Sequence, residues 1–72
     1  MIEIFRTNIN NPQVTKTLAL AIHRQFPTYK ISFDLEDRDK ILRVASTKPV
    51  IEHQALFNIA RSVGVEMEVL PE

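Results

Sequence analysis

The chain has no cysteine and only one glycine in 72 residues, and neither sign of charge is in excess: nine Lys and Arg balance nine Asp and Glu. Without cysteine there can be no disulfide and no thiolate grip on a soft metal ion, although the absence is compatible with any compartment. One glycine cannot furnish a glycine-rich phosphate loop. Balanced charge leaves no electrostatic footprint for nucleic acid or an anionic membrane. No apolar run approaches the ~20 residues that span a bilayer. The opening Met1-Ile2-Glu3-Ile4-Phe5-Arg6 is too short and too charged for a signal peptide. A soluble, cytoplasmic protein is therefore expected. The apolar share, 44%, is ordinary for a globular domain. The expectation is a single domain over residues 1–72. A chain this short buries only about 60% of its unfolded surface, so core packing and local geometry must carry its stability.

The apolar residues are patterned. Ile2 and Ile4 alternate with Glu3, predicting a strand from about Ile2 to Thr7. Asn8 to Asn11 breaks that pattern. Asn11 before Pro12 reads as a helix N-cap with proline at the first helical position, and Asn10 with Gln13 is an alternative capping box. Val14, Leu18, Ala21, Ile22 and Gln25/Phe26 then form one helical stripe, with Lys16, His23 and Arg24 largely off it, until Pro27 ends the helix. Tyr29, Ile31, Phe33 and Leu35 alternate with Lys30, Ser32, Asp34 and Glu36, the cleanest strand pattern in the chain. The charged stretch Asp37 to Lys40 is a turn. Ile41 to Ala45 forms a second strand, with Leu42 and Val44 inward and Arg43 outward. The turn lacks glycine, so a loop longer than two residues is expected in this hairpin.

Ser46-Thr47-Lys48-Pro49 is read as the start of a second helix, whose buried stripe is Ile51, Ala55, Leu56, Ile59, Ala60 and Val63. Gly64 follows at the position where a left-handed backbone closes a helix. Val65 to Leu70 reads as a last strand, with Met67 and Val69 alternating against Glu66 and Glu68, stopped by Pro71. The order is βαββαβ. It predicts an α+β, ferredoxin-like sandwich: a four-stranded antiparallel sheet with two helices on one face.

That order, with the loop Thr7-Asn8-Ile9-Asn10-Asn11-Pro12-Gln13-Val14, resembles the heavy-metal-associated (HMA) domain of copper chaperones and metal-ATPase tails over nearly the whole chain. Phe33-Asp34-Leu35-Glu36 is similar to that family's second strand, Lys40 to Val44 to its third, and Leu56 to Gly64 to the end of its second helix. The resemblance implies that Ile9 stands where the family has a buried Met, and that Asn11 and Val14 stand where it has the two cysteines of its CxxC pair. Val65 follows the glycine where an aromatic is usual.

The departure is chemical. Exchange of copper(I) needs soft anionic ligands; Asn11 offers a neutral hard oxygen and Val14 no donor atom. The preferred reading is that Asn11 caps the helix while Val14 packs beneath the loop, leaving a metal-free, HMA-like protein-interaction module with no cofactor. The alternative is a metal-binding protein with a non-thiol site near Asn8, Ile9, Asn10, Asn11 and Val14. A hard-cation site built from Asn8, Asn10 and Asn11 would lack the nearby carboxylate that calcium or magnesium normally requires.

Other ligand sets are weaker. His23 is expected at the edge of its helix face and His53 in solvent, on different helices and without pair spacing. Met1 and Met67 are read as terminus and core. Asp34, Glu36, Asp37 and Asp39, interleaved with Arg38 and Lys40, are read as a self-neutralised turn. Acylphosphatases share this topology; Arg6 with Asn8 or Asn10 resembles their Arg and Asn, but the glycines of their phosphate cradle are missing, so no enzyme is expected. The open sheet face is expected to carry Glu3 or Phe5, Lys30, Ser32, Asp34, Arg43 and Ala45, too few aromatics for RNA. The partner expected is another protein or a second copy, through a sheet edge or the Asn8–Val14 loop, with Phe57 and Ile41 the least covered apolar residues.

Overall fold

The computed structural model describes residues 1–70. Four strands and two helices follow in the order β1 (Ile2–Thr7), α1 (Pro12–Gln25), β2 (Lys30–Asp34), β3 (Ile41–Ala45), α2 (His53–Ser62) and β4 (Met67–Val69). The strands form one antiparallel sheet in the order β2-β3-β1-β4. Leu18 and Ile22 of α1 and Leu56, Ile59 and Ala60 of α2 share one buried cluster with Phe5, Leu42 and Val44 of the sheet. Both helices therefore cover the same sheet face, as the βαββαβ pattern predicts.

Register assigns the faces. Phe5 pairs with Leu42 and Val69, and Leu42 with Phe33, so one row of apolar side chains crosses the sheet beneath the helices. Glu3 and Phe5 lie on this inner face. The open face carries Ile2, Ile4 and Arg6 from β1, beside Lys30, Ser32 and Asp34 from β2 and Ile41, Arg43 and Ala45 from β3. The expectation that Glu3 or Phe5 would face outward is thus corrected. With Phe5 fully buried, the one aromatic proposed for base stacking belongs to the core. Ile41 is also corrected: on the open face, it is only 4% exposed.

Helix α1 starts as its sequence predicts. Asn11 is extended (φ −140°, ψ 123°), its side chain accepts from the Gln13 N–H, and Pro12 opens the helix. The Asn10 capping box does not form. At the other end Phe26 leaves helical geometry ahead of Pro27, its N–H donating to the Ile22 carbonyl at 2.7 Å. Phe26 stacks flat on Tyr29, with centroids 4.6 Å apart.

Helix α2 begins at His53, not at Ser46 to Pro49. The Ser46 N–H donates to the Met1 carbonyl at 2.8 Å, which continues the pairing of β3 with β1, and its hydroxyl accepts from the Lys48 N–H at 3.1 Å. A residue held in a sheet ladder cannot cap a helix. The intervening segment buries Ile51 and donates the Glu52 N–H to the Tyr29 hydroxyl at 3.1 Å. Glu52 then occupies the cap position without a side-chain cap bond, so α2 depends on the packing of its buried stripe.

Its end follows the sequence closely. Gly64 has φ +79°; its N–H donates to the Arg61 carbonyl at 3.1 Å, and the Val65 N–H to the Ala60 carbonyl at 2.8 Å. These two bonds make a Schellman motif. The last strand is shorter than the Val65 to Leu70 expectation, because Val65 turns into the core. Val69 is 42% exposed at the sheet edge. Pro71, expected to stop this strand, lies outside the described residues. The second strand is likewise trimmed to Lys30–Asp34, and six residues connect it to β3, consistent with a longer, glycine-free turn.

Candidate functional site

The loop between β1 and α1 is held by side-chain bonds from Thr7, Asn8 and Asn11. Thr7, buried at the end of β1, donates its hydroxyl to the Lys40 carbonyl at 2.6 Å and accepts from the Ile9 N–H at 3.3 Å. Asn8 clasps Glu66 three times. Its backbone N–H donates to the Glu66 carbonyl at 3.2 Å, its side-chain oxygen accepts from the Glu66 N–H at 3.0 Å, and its side-chain amide reaches the Glu66 carboxylate at 3.5 Å. Ile9 points into the core and is 2% exposed. Asn10 is exposed. Asn11 uses its side-chain oxygen to accept from Gln13 at 2.9 Å, and its carbonyl accepts from the Val14 N–H at 3.0 Å. Val14 is half-buried against the core cluster.

This disposition sets what the loop can do. Two of its three Asn side chains are engaged, one in the cap and one with Glu66. Ile9 and Val14 contribute only hydrocarbon. The carboxylate missing from the local sequence is present in space: Glu66 adjoins Asn8, though bound to its amide. No group of three or more His, Asp or Glu side chains among the described residues is placed to hold a metal ion.

The other candidate residues are scattered. His23 is exposed near the end of α1. His53 is not free in solvent as expected: its ring packs edge-on against Phe5 at 5.9 Å, and Nε2 is 3.5 Å from the Glu3 carboxylate. Phe57 is half-buried and also meets Phe5 edge-on, at 6.0 Å. Met67 packs against the core from the sheet edge. Arg6 and Asn8 line one surface pocket with Glu66 and Glu68, and both side chains are already bound to carboxylates there. The Arg6 guanidinium forks between Asp39, 3.2 Å from Nε, and Glu68, 2.8 Å from Nη1. Asp39 is therefore neutralised from β1, not by its neighbours Arg38 and Lys40. Lys40 instead donates to the Leu35 carbonyl at 3.2 Å. The two partners of Arg6 are distant from it in sequence, so local spacing could not reveal them.

No family model matches the chain, and no curated protein matches it. Among solved structures it is similar to the solution structure of the yeast copper transporter domain Ccc2a in the apo and Cu(I)-loaded states. The match has a TM-score of 0.77 at 15% identity and covers 97% of this chain and 94% of that one. The two chains thus share one fold over nearly their whole length. No helix among the described residues is long and apolar enough to cross a membrane.

Proposed function

We propose that this chain is an HMA-like domain that has no part in thiolate metal transfer and acts as a cytoplasmic, non-catalytic protein-interaction module. One observation carries the reading: Asn11 and Val14, which stand where the resemblance implies two cysteines, both have structural tasks, the first as helix cap and the second as core packing. Copper(I) handed between proteins needs soft anionic ligands that exchange one at a time, and neither residue supplies one.

The test is titration of the protein with copper(I), zinc and cadmium, following the amide resonances of Asn8 to Val14. The expected result is no saturable, stoichiometric shift. Tight shifts confined to this loop would overturn the reading and favour a non-thiol metal site near Asn8 to Val14. The double variant Asn11→Cys/Val14→Cys is the positive control. It should bind soft metal ions stoichiometrically, because it supplies two thiols and a thiol at a helix N-terminus ionises more readily.

A further inference from the structure

We infer that the chain pairs with a second copy of itself through the free edge of β2, joining two sheets into one of eight antiparallel strands. This names the partner for the interaction-module reading and rests on it. β2 and β4 are the two outer strands, and each leaves one side of its backbone unpaired. They differ in what a second copy would meet there.

β2 reads Lys30-Ile31-Ser32-Phe33-Asp34, without proline or glycine. Two copies set antiparallel about a twofold axis at Ser32 place Lys30 opposite Asp34 of the other copy, twice. Both pairs lie on the open face, where opposite charges across neighbouring strands attract. Neither residue has an ion-pair partner among the described residues. The same register sets Ile31 opposite Phe33 of the second copy on the helix side. Ile31, Phe33 and Leu35 are only half-buried in one chain, so pairing would cover them further. Charge and apolar complementarity thus select one register. At β4, the equivalent antiparallel pairing would place Glu68 against Glu68, and that strand has only three residues. The contact at β2 is small, so a weak dimer is expected.

Sedimentation and amide-shift dilution series up to about 1 mM should show a concentration-dependent dimer with shifts centred on residues 30–34. Lys30→Asp gives an edge with two carboxylates, and Asp34→Lys an edge with two ammonium groups. Each should weaken self-association by about ten- to a hundred-fold. Mixing these two variants should restore pairing, as should the double exchange Lys30→Asp/Asp34→Lys. A chain that stays monomeric throughout, or variants that associate as the parent does, would overturn the proposal. So would a dimer whose shifts map to β4 or to the Asn8–Val14 loop. Circular dichroism of each variant verifies that it is folded. Because metal is read at the loop amides and pairing at the β2 amides, failure of one proposal is distinguishable from failure of the other.

Discussion

Asn11 holds a structural role at a position where the resemblance implies a thiolate. Its oxygen accepts from the Gln13 N–H at 2.9 Å, ahead of a helix whose first turn has no acidic residue. The orphan N–H groups and the positive end of the helix dipole favour an oxygen acceptor there, and favour a negative one more. Asn11→Ala should therefore lower stability by about 1 kcal/mol in urea denaturation, within the usual range for a lost cap. Asn11→Asp should match or exceed the parent protein at neutral pH, by roughly 0.3–1 kcal/mol at low salt. If Asn11→Ala proved silent, its capping role would be refuted and the side chain would be free for another task. This residue was legible in the sequence because capping is local: an Asn before a Pro and an apolar stripe contains all the relevant partners.

At the scale of elements, the β1–α1 loop, the β2–β3 turn and the entry to β4 are tied at one end of the sheet. The Thr7 hydroxyl links the first two, and the Asn8–Glu66 clasp links the first to the third. Thr7→Val keeps the side-chain shape but removes a donor and an acceptor. The Ile9 N–H would then lose its buried partner, so a loss of about 1–3 kcal/mol is expected in thermal or urea unfolding. A change below half that would mean water replaces the hydroxyl. None of these ties was legible in advance. They join residues 33 and 58 positions apart, and polar pairing over such distances leaves no periodic trace. The strands and α1 were legible because alternation and the helical stripe record burial directly. The start of α2 was not: Ser46-Thr47-Lys48-Pro49 has the composition of a helix start, but sheet pairing had already claimed Ser46. His53 was missed for a similar reason. A histidine at the first turn of a helix reads as solvated until the tertiary fold brings Phe5 beneath it.

For the whole molecule, size is the governing fact. A chain of 72 residues has a total stability on the order of 4–11 kcal/mol. Phe5 is fully buried at the centre of the sheet and meets both His53 and Phe57. Phe5→Ala should cost about 3–5 kcal/mol, a large share of that total, and lower the melting temperature sharply. Collapse of near-ultraviolet circular dichroism, or a sharply lowered melting temperature, would verify this. A melting temperature within a few degrees of the parent would show that neighbouring side chains fill the space. The thin core also bears on the loop. Because Ile9 is rooted among core residues and its amide is held by a buried hydroxyl, its hydrogen should exchange with solvent nearly as slowly as those of the central strands. Asn10, one residue on and facing water, should exchange fast. A step from slow to fast between adjacent amides marks where a loop stops being a lid and becomes part of the wall. For this domain the wall begins at Ile9, whose side chain is buried and whose amide is bonded within the fold.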